Sequence, residues 1–143
     1  MTISIISSTS LDELIDILDV QVYEDKYSRW VKNKTIRVCD IWDVIDDTLM
    51  MTVLDHHSDG DEIREAIIGV LHHLGKSTSI DAEDIDQAHE WASKYNESSG
   101  DVVLVGFGNS WDEADSVAVL ALSAEQWGRI KGHPELSKLF YLI

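Results

Sequence analysis

Between residues 40 and 65 nine carboxylates (Asp40, Asp43, Asp46, Asp47, Asp55, Asp59, Asp61, Glu62 and Glu65) are set against a single base, Arg64. Charges at that density cannot be taken out of water, so every element formed there must keep one side in solvent. The bias runs through the whole chain, whose 27 acids and 11 bases leave a net charge of −16 over 143 residues. Solubility of a small domain is ordinarily secured by a net charge of about 2 to 8. Such a surface repels nucleic acid and anionic membranes and attracts basic partners.

The charge does not imply disorder, because a 44% hydrophobic fraction with five Trp and four Tyr supplies apolar surface to bury. The length suits one domain, residues 1–143, able to bury roughly two-thirds of its unfolded surface. A single cysteine, Cys39, excludes an internal disulfide and fits a reducing compartment. Residues 1–6 lack the basic residues and length of a signal peptide, and no apolar run approaches membrane-spanning length. A soluble, cytoplasmic protein is the expectation.

Apolar spacing divides the chain into a helical first two-thirds and a mixed remainder. Thr2–Ile6 has the composition of a short strand. Ser10-Leu-Asp-Glu13 reads as a capping box, followed at helical spacing by Leu11, Leu14, Ile15, Leu18 and Val22, so a first helix is expected from about residue 11 to the low 20s or to Trp30. Ile41, Ile45, Leu49 and Val53 recur every four residues and predict a second helix over 39–55, with Asp40, Asp43 and Asp47 forming an acidic stripe on its far side. Asp59-Gly-Asp-Glu62 opens the next helix, which carries Ile63, Ile67, Val70, Leu71 and Leu74 and ends at Gly75. The short connection makes these two an αα-hairpin. Asp81-Ala-Glu-Asp84 begins a further helix.

Val102–Phe107 and Ser116–Leu122 are β-branched, apolar runs of strand length that should pair antiparallel. Ser123-Ala-Glu-Gln126 is another capping box, Gly132 stops its helix, and Pro134 suits the opening of a last turn ending at Ile143. The expected fold class is α+β: a helix-dominated single domain with an αα-hairpin and a small antiparallel sheet, made of the C-terminal β-hairpin and open to the N-terminal strand.

Motifs for catalysis are weak. The pairs His56-His57 and His72-His73, with His89, could supply metal ligands only if they converged. In an αα-hairpin the two pairs would stand roughly 20 Å apart, one helix length. His72 and His73 are better placed to favour a helix C-terminus. Asp55-His56-His57 resembles the Asp-His-His signature of the DHH phosphoesterases, a resemblance of three residues that implies a manganese phosphoesterase site following a strand. That family's core is longer than this chain, and the pattern around the tripeptide here is helical. Asp55, His57, Asp59 and Gly60 fit a calcium loop until position twelve, where Ala66 stands in place of a bidentate Glu. Val105-Gly-Phe-Gly108 lacks the third glycine of a phosphate-binding turn. Cys39 has no activating neighbour beyond Arg37.

The acids fall into two groups. Asp59, Asp61, Glu62, Asp81, Glu83 and Asp84 belong to expected helix starts, where they cap amides and favour the dipole. Asp12, Asp16, Asp19, Asp40, Asp43, Asp46 and Asp47 are mid-helix without basic partners at i+4, so they repel one another without local return. Trp111 adds a second patch, as an aromatic anchor among Asp112, Glu113 and Asp115. Carboxylates on successive helix turns lie about 5 to 6 Å apart, near the spacing of backbone phosphates.

The expectation is a non-enzymatic acidic binding protein or inhibitor that occupies the basic nucleic-acid-binding surface of a partner protein, a nucleic-acid-binding enzyme or nuclease. Either a DNA-mimicking anti-restriction or anti-CRISPR protein or an immunity protein against a nuclease toxin fits. The partner-binding residues are Asp40, Asp43, Asp46, Asp47, Trp111, Asp112, Glu113 and Asp115, with no cofactor, no metal, no direct nucleic-acid contact and no membrane contact. The alternatives are a small metal-dependent hydrolase built around His56 and His57, and a generic interaction adaptor.

Overall fold

A computed structural model describes residues 4–46, 49–55, 57–108 and 116–143. The chain runs β1 (Ile5–Ser7), α1 (Ser8–Leu18), α2 (Glu24–Lys32), β2 (Thr35–Arg37), a 3-10 turn over Val38–Asp40, α3 (Ile41–Val44), β3 (Met51–Asp55), α4 (Gly60–His73), α5 (Ile85–Ser98), β4 (Val102–Phe107), β5 (Ser116–Ser123), α6 (Ala124–Lys131), a second 3-10 turn over Leu136–Lys138, and β6 (Phe140–Leu142). The fold is α+β, with two antiparallel sheets: a two-stranded β1-β2 ribbon and a four-stranded sheet ordered β3-β5-β4-β6.

The four-stranded sheet separates two apolar clusters, because side chains alternate between its faces. Leu104, Val117, Val119 and Ala121 point to one side, where Ile63, Ile67, Val70 and Leu71 of α4 and Ile85, Ala88 and Ala92 of α5 cover them. Val105, Leu120, Leu122 and Phe140 point to the other, against Leu11, Leu14, Ile17 and Leu18 of α1, Ile130 of α6, and Ile41, Val44 and Ile45. No helix among the described residues is long and apolar enough to cross a membrane.

Local signals set the helix ends. Asp59 caps α4 by accepting from the Glu62 N–H at 2.8 Å. Its other end closes in a Schellman motif: Gly75, at φ 76°, donates to His72 O (2.9 Å), and Lys76 donates to Leu71 O (3.0 Å). Ser123 and Gln126 form the reciprocal capping box of α6. The β4-β5 hairpin pairs in register from Val102 opposite Ser123 to Phe107 opposite Ala118.

Four expectations need correction. The first helix begins earlier, capped by Ser7 instead of Ser10, and stops at Leu18, where Asp19 turns left-handed at φ 55°; α2 is a separate helix. The helix expected over 39–55, and with it the αα-hairpin, is replaced by α3 followed by β3. Burial shows why: Leu49 and Val53 of the four-residue period are 70% and 56% exposed, while Met50 and Leu54 are 2% and 1% exposed. The core is met by a strand pairing with β5, and Ile45 ends α3 by bridging to Val22. The N-terminal strand joins β2 and not the larger sheet, and the C-terminal residues add an unforeseen strand, β6, beside β4. Asp81 and Glu83 precede α5, whose cap is Asp84.

Candidate partner-binding surface

The Val22–Ile45 bridge gathers acids that are distant in sequence. Tyr23 N–H donates to Val44 O and Asp46 N–H to Gln21 O, each at 2.8 Å. Segments 19–25 and 43–46 are thereby joined, and Asp19, Glu24, Asp25, Asp43 and Asp46 are all exposed. Asp46 engages the Tyr23 hydroxyl and pushes the phenol above its ordinary range, by hydrogen bonding first and charge second. Asp19, Glu24, Asp25 and Asp43 have no side-chain partner among the described residues.

Asp40 does not belong to this patch. Arg37 Nε donates to its Oδ2 at 2.7 Å, and the carboxylate side chain is only 14% exposed. The same guanidinium lies 5.8 Å from the Trp30 ring centroid. Because α3 spans only Ile41–Val44, Asp40 and Asp43 do not share a continuous helix face, and the regular stripe expected of them is absent. Asp47, Trp111, Asp112, Glu113 and Asp115 lie outside the described residues.

The acids of α1 acquire partners by packing. Asp12 accepts from the Tyr27 hydroxyl, Asp16 pairs with Arg129 at 2.8 Å, and Glu13 meets His133 Nε2. His133 Nδ1 accepts from the N–H groups of Glu135 (3.1 Å) and Leu136 (3.0 Å), so Nε2 carries the proton donated to Glu13. Glu135 in turn accepts from the Ser7 N–H at 2.8 Å. Glu13, Arg129, His133 and Glu135 line an open groove between α1 and α6, yet each is engaged in docking the helix.

The candidates for chemistry are dispersed. His57 is exposed, His72 and His73 are exposed in the last turn of α4, and His89 is half-buried on α5; His56 lies outside the described residues. Among the described residues no group of three or more His, Cys, Asp or Glu is placed to hold a metal. Asp55 closes a strand, not a helix, and its carboxylate accepts from the His57 N–H (2.8 Å) and the Ser58 hydroxyl (3.3 Å), which is turn formation.

Two carboxylates respond to acid with opposite sign. Asp101 pairs with Lys76, whose hydrogen bond holds its carboxyl below the usual value. That stabilisation exists above the ordinary carboxylate range and is lost as pH falls through the depressed one. Glu62 is raised, chiefly by the charge of Asp59, so its protonation in the folded state relieves repulsion. Lys76→Ala is expected to return Asp101 toward its ordinary value in a carboxyl NMR titration; an unmoved titration would show that the pair is not its cause.

No protein-family model, curated protein or solved structure matches the chain.

Proposed function

We propose that this protein is a non-enzymatic acidic binding protein that occupies the basic nucleic-acid-binding surface of another protein, in the manner of a counter-defence inhibitor or an immunity protein. The observation carrying the reading is the patch around the Val22–Ile45 bridge, where Asp19, Glu24, Asp25 and Asp43 stand exposed without partners among the described residues. Folding accounts for many other acids through caps and ion pairs, but it does not use these. Like charges brought together raise the energy of the free protein, and a basic partner relieves that cost on contact. Asp46 extends the patch, and on sequence grounds alone Asp47 and the acids Asp112, Glu113 and Asp115 around Trp111 belong to the same reading. The recognition rests on charge density and not on a phosphate-spaced helical stripe.

The test immobilises the full chain and challenges it with lysate of its host. The expected catch is a basic nucleic-acid enzyme, bound 1:1, released by salt and displaced by duplex DNA. Asp43→Lys combined with Asp46→Lys should weaken capture at low salt by about tenfold. A partner that salt and DNA leave in place would overturn the reading.

A further inference from the structure

Among the described residues the larger sheet leaves one edge of β3 unpaired. Among those residues strand β3 pairs only with β5, and the bonding pattern identifies which of its backbone groups face outward. Ala121 N–H donates to Met50 O at 3.2 Å, so Met50–Ala121, Thr52–Val119 and Leu54–Val117 are the hydrogen-bonded pairs of this antiparallel ladder. The N–H and C=O groups of Met51, Val53 and Asp55 therefore point away from β5. Asp55 is closed off locally, its N–H donating to the Ser58 hydroxyl and its C=O accepting from the Ser58 N–H, both at 3.2 Å. Met51 and Val53 retain free backbone groups among the described residues.

Sheet edges are ordinarily guarded by Lys, Pro, a bulge or a covering element. Met51-Thr-Val-Leu-Asp55 contains neither Lys nor Pro and pairs without a bulge. Val53 is 56% exposed, which leaves an apolar side chain at the rim. Exposed Asp43 and Asp46 precede the strand, Asp55 ends it and exposed Asp59 follows. The opposite edge, β6, has no Asp or Glu side chain between residues 136 and 143 and has Lys138 close by.

We propose that the β3 edge receives an extended segment of a basic protein as an added strand, its backbone bonding to Met51 and Val53, an apolar side chain covering Val53, and Lys or Arg side chains reaching the flanking acids. A second copy of this chain is a poor occupant, since it carries the same net charge of −16 and would be repelled. The proposal rests on the acidic-binding reading for the sign of the partner's charge and adds the mode of contact.

The probe is a synthetic peptide of alternating lysine and valine, titrated into the isotope-labelled full chain while backbone amide exchange is followed. Binding should slow exchange at Met51 and Val53. Methylating alternate amides of the peptide should weaken it by about tenfold or more, as should Val53→Pro, which removes no ladder bond because that N–H faces outward. Val53→Lys serves as a second variant with an intact backbone. If the methylated peptide binds as tightly as its parent, strand addition is wrong while the charge reading survives. If a glutamate–valine peptide binds equally well at the same amides, both are wrong. If Met51 and Val53 are protected without peptide in a self-associating chain, the occupant is a second copy and the proposal is overturned.

Discussion

Gly106→Ala is expected to destabilise the protein by about 2 to 3 kcal/mol, the upper part of the range for forcing atoms into a packed site. Gly106 sits in β4 directly opposite Tyr141 of β6, and a Cβ built on it would collide with the hydroxyl end of the tyrosine ring, at Cζ. Its backbone needs no positive φ, so the requirement for glycine is the close approach of the ring alone. Glycine weakens a strand by leaving its backbone uncovered, and a cross-strand aromatic laid over it offsets that loss. The two positions should therefore be coupled. In a Tyr141→Ala background the methyl has room, and Gly106→Ala should be neutral or slightly stabilising, giving a coupling energy of about 2 to 3 kcal/mol in a denaturation cycle. Equal cost in both backgrounds would show that the ring is not what excludes the side chain.

This pairing was invisible in the sequence for the same reason that β6 was. Residues 139–143 carry no turn signal or alternation that distinguishes a strand from a terminal turn, and the partner that makes them one lies more than thirty residues earlier. Elements with local determinants were legible: the Ser123–Gln126 box, the Asp59 cap and the β4-β5 hairpin stand close to where their residues place them. The segment 39–55 misled because Ile41, Ile45, Leu49 and Val53 satisfy a helical period that Met50 and Leu54 contradict only once β5 is present to bury them. The site divides likewise. Arg37 three residues ahead of Asp40 was a readable sign that this acid is paired. Glu24 and Asp25 carried no sign at all, since only the Val22–Ile45 bridge brings them beside Asp43 and Asp46.

Asn96 holds together three parts of the fold, and Asn96→Ala should cost about 3 kcal/mol, near 1 for each net hydrogen bond removed. Its Nδ2 donates to Leu104 O (2.8 Å) and Ile143 O (2.9 Å), and its Oδ1 accepts from the Leu104 N–H (2.7 Å). The side chain thus ties α5 to the middle of β4 and to the last residue beyond β6. All three backbone groups are partly shielded, so removing the amide leaves them without partners where water compensates poorly. Asn96→Asp separates this account from mere loss of packing, because it preserves shape and reverses donors to acceptors. The new carboxylate could still accept from Leu104 N–H, but it would face two carbonyl oxygens. At neutral pH Asn96→Asp should cost at least as much as Asn96→Ala. Protonation gives the side chain back one donor, so its pKa in the folded protein should be raised and part of the lost stability should return as pH falls through that raised value. Denaturant midpoints of the two variants across pH provide the measurement; an Asp variant as stable as the parent at neutral pH would show that these hydrogen bonds do not anchor α5 to the sheet.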